Sequence, residues 1–315
     1  MQSYNAFCVP KELKWFTQRF GDGLINMGRF ASPEKQAALV MKSLQGNVLK
    51  SVRTVSNYEQ ALTKVSQYLR EKRIGSLQKI SPAKAVTYLE QRGQEVGQKT
   101  LDMERQAIQS MMQHVTHQLK PDERLPIIKS EQETSLHSRA YTPEQIKLVT
   151  EHQSAKSALA TQLAYQAGIR AHELITLQKL DQQPADLRPV SIHKFTGRQG
   201  VAYSVKGKGG LTREIRIPFA LSQQLEARAI EPINVTDRGV NYQQHYDLAG
   251  GQKWSNSFSG ASDRALGWAR GGHGLRHSYA QERMNELQTT GLSEHDALET
   301  VSQELGHFRP EITKV

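Results

Sequence analysis

Between Pro121 and Arg139 the chain loses every apolar period. Pro121 and Pro126 stand there among Asp122, Glu123, Lys129, Glu131 and Glu133, a composition that continues neither a helix nor a strand. This break constrains the fold most, because it divides 315 residues into two lengths that can each bury a core of their own. The sequence therefore predicts an N-terminal segment over 1–29, an all-helical domain over 30–120, a linker over 121–139 and a second domain over 140–315.

Ahead of the break the apolar spacing is helical. Val52, Val55, Tyr58, Leu62, Val65 and Leu69 recur every three or four residues from Ser51 to Arg73, with Lys64, Arg70, Lys72 and Arg73 elsewhere on the turn. Ser81-Pro82 reads as a helix start, since serine caps and proline lacks only an amide that the first turn leaves unpaired. Leu101, Ile108, Met111, Met112 and Val115 predict another helix, and Glu34 to Leu49 a weaker one.

After the break the pattern is mixed. Thr142-Pro143-Glu144-Gln145 is a capping box that opens helices through Ile146 to Val149 and Leu159 to Ala167. Val201–Lys206 and Arg213–Pro218 flank Gly207-Lys208-Gly209-Gly210, and alternation around a glycine-rich turn predicts a β-hairpin. Leu221 to Ala229 reads as helix. Residues 231–260, polar and without a clear period, read as a long irregular loop in which Trp254 and His245 are either packed or available to DNA. From Leu275 helices return. The fold class is mainly α, an all-helical domain followed by an α+β domain of helices with a small antiparallel sheet.

Charge narrows the function. Lys and Arg number 41 against 31 Asp and Glu, a net charge of +10 that favours a polyanionic partner. One cysteine, Cys8, excludes an internal disulfide framework and a Cys-rich zinc module. Lys11, Lys14, Arg19 and Asp22 interrupt the first thirty residues, so no signal-type apolar run is present, and no stretch reaches a membrane-spanning length of about 20 apolar residues. A cytoplasmic, nucleoid-associated protein with no membrane partner is expected. Gly207-Lys208 lacks the spaced glycine and the Ser or Thr of a nucleotide-phosphate loop. His273 and His277 stand four apart without a third ligand in a recognised pattern, so no metal and no cofactor is expected.

Three segments carry a family resemblance: Ala167-Gly168-Ile169-Arg170-Ala171-His172-Glu173-Leu174, His273-Gly274-Leu275-Arg276-His277, and Glu304-Leu305-Gly306-His307 with the residues that follow to Val315. In this order they resemble the tyrosine recombinases, or phage-type integrases. The resemblance covers about Thr142 to Val315, and more weakly the helical domain, which looks like the core-binding domain of those enzymes. It implies a C-shaped clamp on duplex DNA.

A phosphodiester under attack gathers charge on its nonbridging oxygens, and fixed cationic donors stabilise it. The resemblance implies that Arg170 and Arg276 clamp the scissile phosphate, that His273 donates to an oxygen or assists proton transfer, and that His307 holds the phosphate. It implies a supporting acid at Glu173, a packing or supporting role for His277, and a general acid at Lys208 in the hairpin turn. Lys206 is its nearby rival. Lys206 and Arg213 are expected as DNA contacts.

The family's nucleophile is a tyrosine nine residues after the histidine of the Leu-Gly-His motif. Counted from His307, that place falls one position after Val315, and none of the ten tyrosines occupies it. Two alternatives stay open: a tyrosine that follows Val315, or a chain that binds DNA and does not cut it. The resemblance implies site-specific integration or recombination for a prophage or other mobile element, through a 3′-phosphotyrosyl intermediate. The partners it implies are double-stranded attachment sites, a homotetramer in the synaptic complex and DNA-bending accessory proteins. The rivals are a DNA-binding protein of the same fold without chemistry and a type IB topoisomerase.

Overall fold

The computed structural model describes residues 31–133, 138–207 and 209–307. The N-terminal segment 1–29, Lys208 and the residues after His307 lie outside the described residues, and with them the expectations placed there. The chain forms two compact units, Met1–Ser135 and Leu136–Val315.

The first unit is helical throughout. It contains α1 (Pro33–Leu44), α2 (Val52–Glu71), α3 (Pro82–Gly93) and α4 (Gln98–His114). Ser32, Ser51 and Ser81 cap the first three, each accepting from the amide three residues on. The periodic residues turn inward: Leu62, Val65 and Leu69 of α2 meet Val40 and Leu44 of α1, Leu89 of α3, and Ile108 and Met112 of α4. One carboxylate is buried among them. Glu104 accepts from Tyr88 Oη at 2.8 Å and from Arg92 Nε at 3.2 Å, which offsets the cost of taking its charge out of water.

Residues 121–133 contain no helix or strand, as their composition predicts. They run against the first unit, where Leu125 is buried and Ser130 bonds the carbonyl of Val96 and the side chain of Gln98.

The second unit opens with α5 (Pro143–Glu151), and its capping box is formed on both sides: Gln145 N donates to Thr142 Oγ1 and Thr142 N donates to Gln145 Oε1. Next come α6 (Ala155–Ala167), β1 (Gln178–Lys179), β2 (Val201–Lys206), β3 (Thr212–Ile217) and α7 (Phe219–Glu226). Strands β1, β2 and β3 form an antiparallel sheet in that order, and β2–β3 is the predicted hairpin, with Lys206 opposite Thr212.

The segment 231–260 corrects the sequence reading. It is a second antiparallel hairpin, β4 (Ala229–Asp237) with β5 (Val240–Tyr246), followed by α8 (Gly251–Leu266). The hairpin exposes most of both faces, so no alternation marks it. Helix α8 buries Trp254, Phe258 and Ala261, a spacing hidden among Ser, Asn and Gly. Trp254 belongs to the core and donates to Thr161 Oγ1 at 3.1 Å, so it is no DNA contact. His245 is half-buried in β5, with its Nε2 buried.

Helices α9 (Gly274–Thr289) and α10 (Glu294–Glu304) complete the unit. Its main core joins Val149, Leu163, Tyr203, Ile215, Trp254 and Phe258, and a smaller cluster of Tyr279, Leu287, Val301 and Leu305 lies between α9 and α10. Among the described residues no helix is long and apolar enough to cross a membrane.

Phe258 is fully buried against Trp254 and Tyr141. Phe258→Ala is expected to lower the unfolding free energy of this unit by about 3–5 kcal/mol, from lost burial and the cavity left behind. Urea denaturation followed by tryptophan fluorescence measures it; a loss below about 1 kcal/mol contradicts the packing described.

Candidate active site

Helix α6 ends because Gly168 turns the chain left-handed, at φ 59°. A side chain there would also strike Leu305 and Tyr279, with contacts of 2.8 and 3.0 Å from a β-carbon. The reversal directs Arg170 and Glu173 back toward the end of α6. Glu173 is completely buried, and its carboxylate gathers the site: it accepts from Arg170 N at 2.9 Å, Arg170 Nη1 at 2.5 Å and Arg213 Nη2 at 2.8 Å, with Arg276 Nη1 at 3.9 Å. Burial pushes its pKa up, but Arg213, Arg276 and Arg170 outweigh burial and hold the carboxyl well below the usual range.

Arg276 lies in the first turn of α9 and is buried. Its Nη1 donates to Gly168 O, and its Nη2 donates to Leu305 O at 2.8 Å and meets His307 Nε2 at 3.1 Å. Guanidinium only donates, so this last contact is a hydrogen bond when Nε2 of His307 is unprotonated. Burial first, then Arg276, Arg170 and Arg213, push His307 down to about 3. The imidazole is neutral at physiological pH. Gly306 ends α10 with φ 70°, and a β-carbon there would stand 2.7 Å from Arg213 Cδ.

His273 precedes α9 and keeps an exposed surface, yet desolvation, followed by Arg276, His277, Arg170 and Arg139, pushes it down to about 4. His277 lies one turn on, its ring at 5.5 Å and nearly perpendicular to that of His273, and it too is lowered, by burial and then Arg139. Among the described residues no three His, Cys, Asp or Glu side chains stand close enough to hold a metal ion.

The structure thus brings together Arg170, Glu173, Arg276 and His307 by direct contact, and His273 with His277 beside them. The β2–β3 turn abuts this group: a β-carbon on Gly207 would lie 3.2 Å from Glu173 Oε1 and 3.8 Å from Arg170 Nη1. Lys208, in that turn, lies outside the described residues. Lys206 is exposed at the end of β2.

Arg213 departs from expectation. The expected DNA contact is instead 5 % exposed and donates to Glu304 O at 2.6 Å, Gly168 O at 3.1 Å and Glu173. An arginine on a half-buried strand can face either way, and here the inward face holds the carboxylate.

Sequence reasoning also missed a second buried acid. Glu304 accepts from Arg283 Nε and Nη2 at 2.9 and 2.8 Å, from Tyr279 Oη at 2.7 Å and from Phe195 N at 2.8 Å. It fixes the end of α10, whose carbonyls receive Arg213 and Arg276. The one signal available was the spacing of Tyr279 and Arg283, four apart on one face of α9.

Comparison with known proteins follows the same lines. Residues 42–118 match the family model "Phage integrase, N-terminal SAM-like domain". No curated protein matches in sequence. Solved structures do match in fold. The XerH site-specific recombinase bound to its difH substrate is 18% identical with TM-score 0.52, covering 90% of this chain and 80% of that one. The Tn1549 transposon integrase in complex with transposon right end DNA is 14% identical with TM-score 0.51, covering 90% and 93%. A lambda integrase tetramer bound to a Holliday junction is 15% identical with TM-score 0.53, covering 94% and 84%.

The low values of His273 and His307 predict a pH response. Both are held below their ordinary 6.5, so as pH falls through 6.5 the unfolded chain takes up protons that the folded chain refuses until about 4 and 3. Their contribution is therefore intact above pH 6.5 and is lost as the solution is acidified. The drop in melting temperature between pH 7 and pH 4 is expected to be shallower in the double variant His273→Gln, His307→Gln; an equal drop contradicts the placement. Glu173→Gln, which strips the charge from beneath three arginines, is expected to cost about 3–5 kcal/mol in denaturant unfolding.

Proposed function

We propose that the chain is a tyrosine recombinase of the phage integrase type, and that it cuts and rejoins duplex DNA at specific sites through a covalent 3′-phosphotyrosyl intermediate; the N-terminal family match and the shared fold of the DNA-bound recombinases support this. The observation that carries this reading is the convergence of Arg170 and Arg276 on one buried carboxylate, with His307 against the Arg276 guanidinium and His273 alongside.

The chemistry follows from the charges. Three guanidiniums face one carboxylate, so the cluster keeps an excess of positive charge that a phosphate can neutralise. Glu173 and the carbonyls of Gly168 and Leu305 fix the arginine planes before substrate arrives, so little reorganisation is required in the transition state. A tyrosine oxygen attacks phosphorus, the bond from phosphorus to the 5′ oxygen breaks, and the 3′ end stays on the protein. The phenol proton needs an acceptor. His273, unprotonated at neutral pH, suits that step. The departing 5′ oxygen needs a proton, and Lys208, or Lys206 in its place, supplies it. Attack by a second strand's 5′ hydroxyl reverses these transfers and restores the diester without ATP.

Integration for a prophage or other mobile element, on double-stranded attachment sites and with a homotetramer at synapsis, is the setting we infer. A tetramer is the assembly of the lambda integrase on its junction.

The test uses a chain that carries a tyrosine nine residues after His307 and a nicked duplex containing a site selected from a random-sequence pool. A covalent adduct that then joins a second duplex is the expected result. Adduct with relaxation of supercoils but no joining points instead to a topoisomerase, and binding with no adduct to a protein that only holds DNA. In the same assay Arg276→Lys, which removes the planar fork and keeps the charge, is expected to slow adduct formation by roughly a hundredfold while affinity stays within a few-fold. Unchanged cleavage removes Arg276 from the site.

A further inference from the structure

We propose that Arg139 and Arg270 form a second phosphate subsite, on the His277 side of the α9 start, that grips a backbone phosphate neighbouring the scissile one. This rests on the reading that the site beside it receives DNA.

The segment that enters the second unit, residues 138–141, is tied across the first turns of α9. Tyr141 N donates to Ser278 Oγ at 2.8 Å, Ser278 Oγ donates to Tyr141 O at 2.8 Å, and Gln281 Nε2 donates to Ser138 Oγ at 2.8 Å. Arg139 O lies so close to Gly274 that a β-carbon there would stand 2.3 Å away. The backbone of Arg139 is thus fixed at the turn that holds His273 and Arg276, while its side chain is exposed.

Arg270 reaches the same strap. Its amide donates to Tyr141 Oη at 2.7 Å and its Nη1 to Ser138 O at 2.9 Å. Its guanidinium lies 4.9 Å from the centre of the Trp268 ring, which stacks on Tyr141. An exposed arginine ordinarily samples many rotamers. This one is held between the Trp268 ring and the Ser138 carbonyl, with donors other than Nη1 left for a ligand.

Charge balance points to what that ligand is. Among the described residues neither Arg139 nor Arg270 meets a carboxylate, whereas Arg198, Arg213 and Arg283 each do. The positive charge of Arg139 reaches the candidate site, since it opposes protonation of both His273 and His277. Among the described residues these are two guanidiniums without a carboxylate partner, one held by the strap and one on a fixed backbone, and they fit the backbone of the same duplex, where phosphate contacts set position and register.

The experiment is a salt titration of affinity for a random-sequence duplex, comparing the full chain with Arg139→Gln, Arg270→Gln and both. Each variant is expected to reduce the slope of log affinity against log salt by about 0.9, and the double variant by about 1.8. Arg228→Gln, which removes an arginine already facing Asp247, is the control and is expected to keep the slope. Should Arg270→Gln loosen the strap, Arg139→Gln decides alone, because its side chain is exposed. A wild-type protein that fails to bind duplex overturns the DNA reading and the subsite with it. Duplex binding with an unchanged slope in Arg139→Gln overturns the subsite only, as does an equal loss in Arg228→Gln.

Discussion

A carboxylate with no access to water, Glu173, is what the second unit is arranged around. Alone it would be expensive to bury, since an unpaired ion in the interior costs several kcal/mol or gives up its charge. Arg170, Arg213 and Arg276 come from the end of α6, from β3 and from α9, and each is oriented by this one side chain or by a carbonyl beside it. The arginines in turn explain why the carboxylate stays ionised. Neither partner is stable where it lies without the other, so the parts of the site cannot form independently of the fold.

The glycines at the two helix ends make this geometry available. Gly168 and Gly306 both adopt left-handed backbone and both lie where a β-carbon would meet a neighbour. Gly168 O takes donors from Arg213 and Arg276, while the carbonyls of Glu304 and Leu305, just before Gly306, take one from each. Helix ends leave carbonyls without partners, and here those groups hold the site's cations. Glu304, gripped by Arg283 and Tyr279, keeps the second of these ends in place.

Much of the fold was legible because local signals agreed with it. Ser51, Ser81 and the Thr142-Gln145 box cap the helices that their spacing predicts, and Gly207 to Gly210 turn the hairpin between β2 and β3. The segment 231–260 was not legible. The few buried positions of this hairpin, Asp237, Gln244 and Tyr246, are mostly polar and show no apolar alternation, and the buried stripe of α8 consists of one tryptophan, one phenylalanine and small residues. Within the site, Arg170, His273, Arg276 and His307 were visible as motif positions. Arg213 turns inward, and sequence does not say which side of a strand finds a buried acid; Glu304 meets Arg283 through a contact between helices that the spacing of Tyr279 and Arg283 only hints at.

The unequal count of charges around Glu173 has a thermodynamic consequence. Three guanidiniums share one carboxylate, so part of their mutual repulsion stays in the native state as a standing cost. Any anion that enters lowers that cost only when the chain is folded, and by linkage its affinity is also a contribution to folding. Anion capture and conformational stability in this unit are then two readings of one free energy.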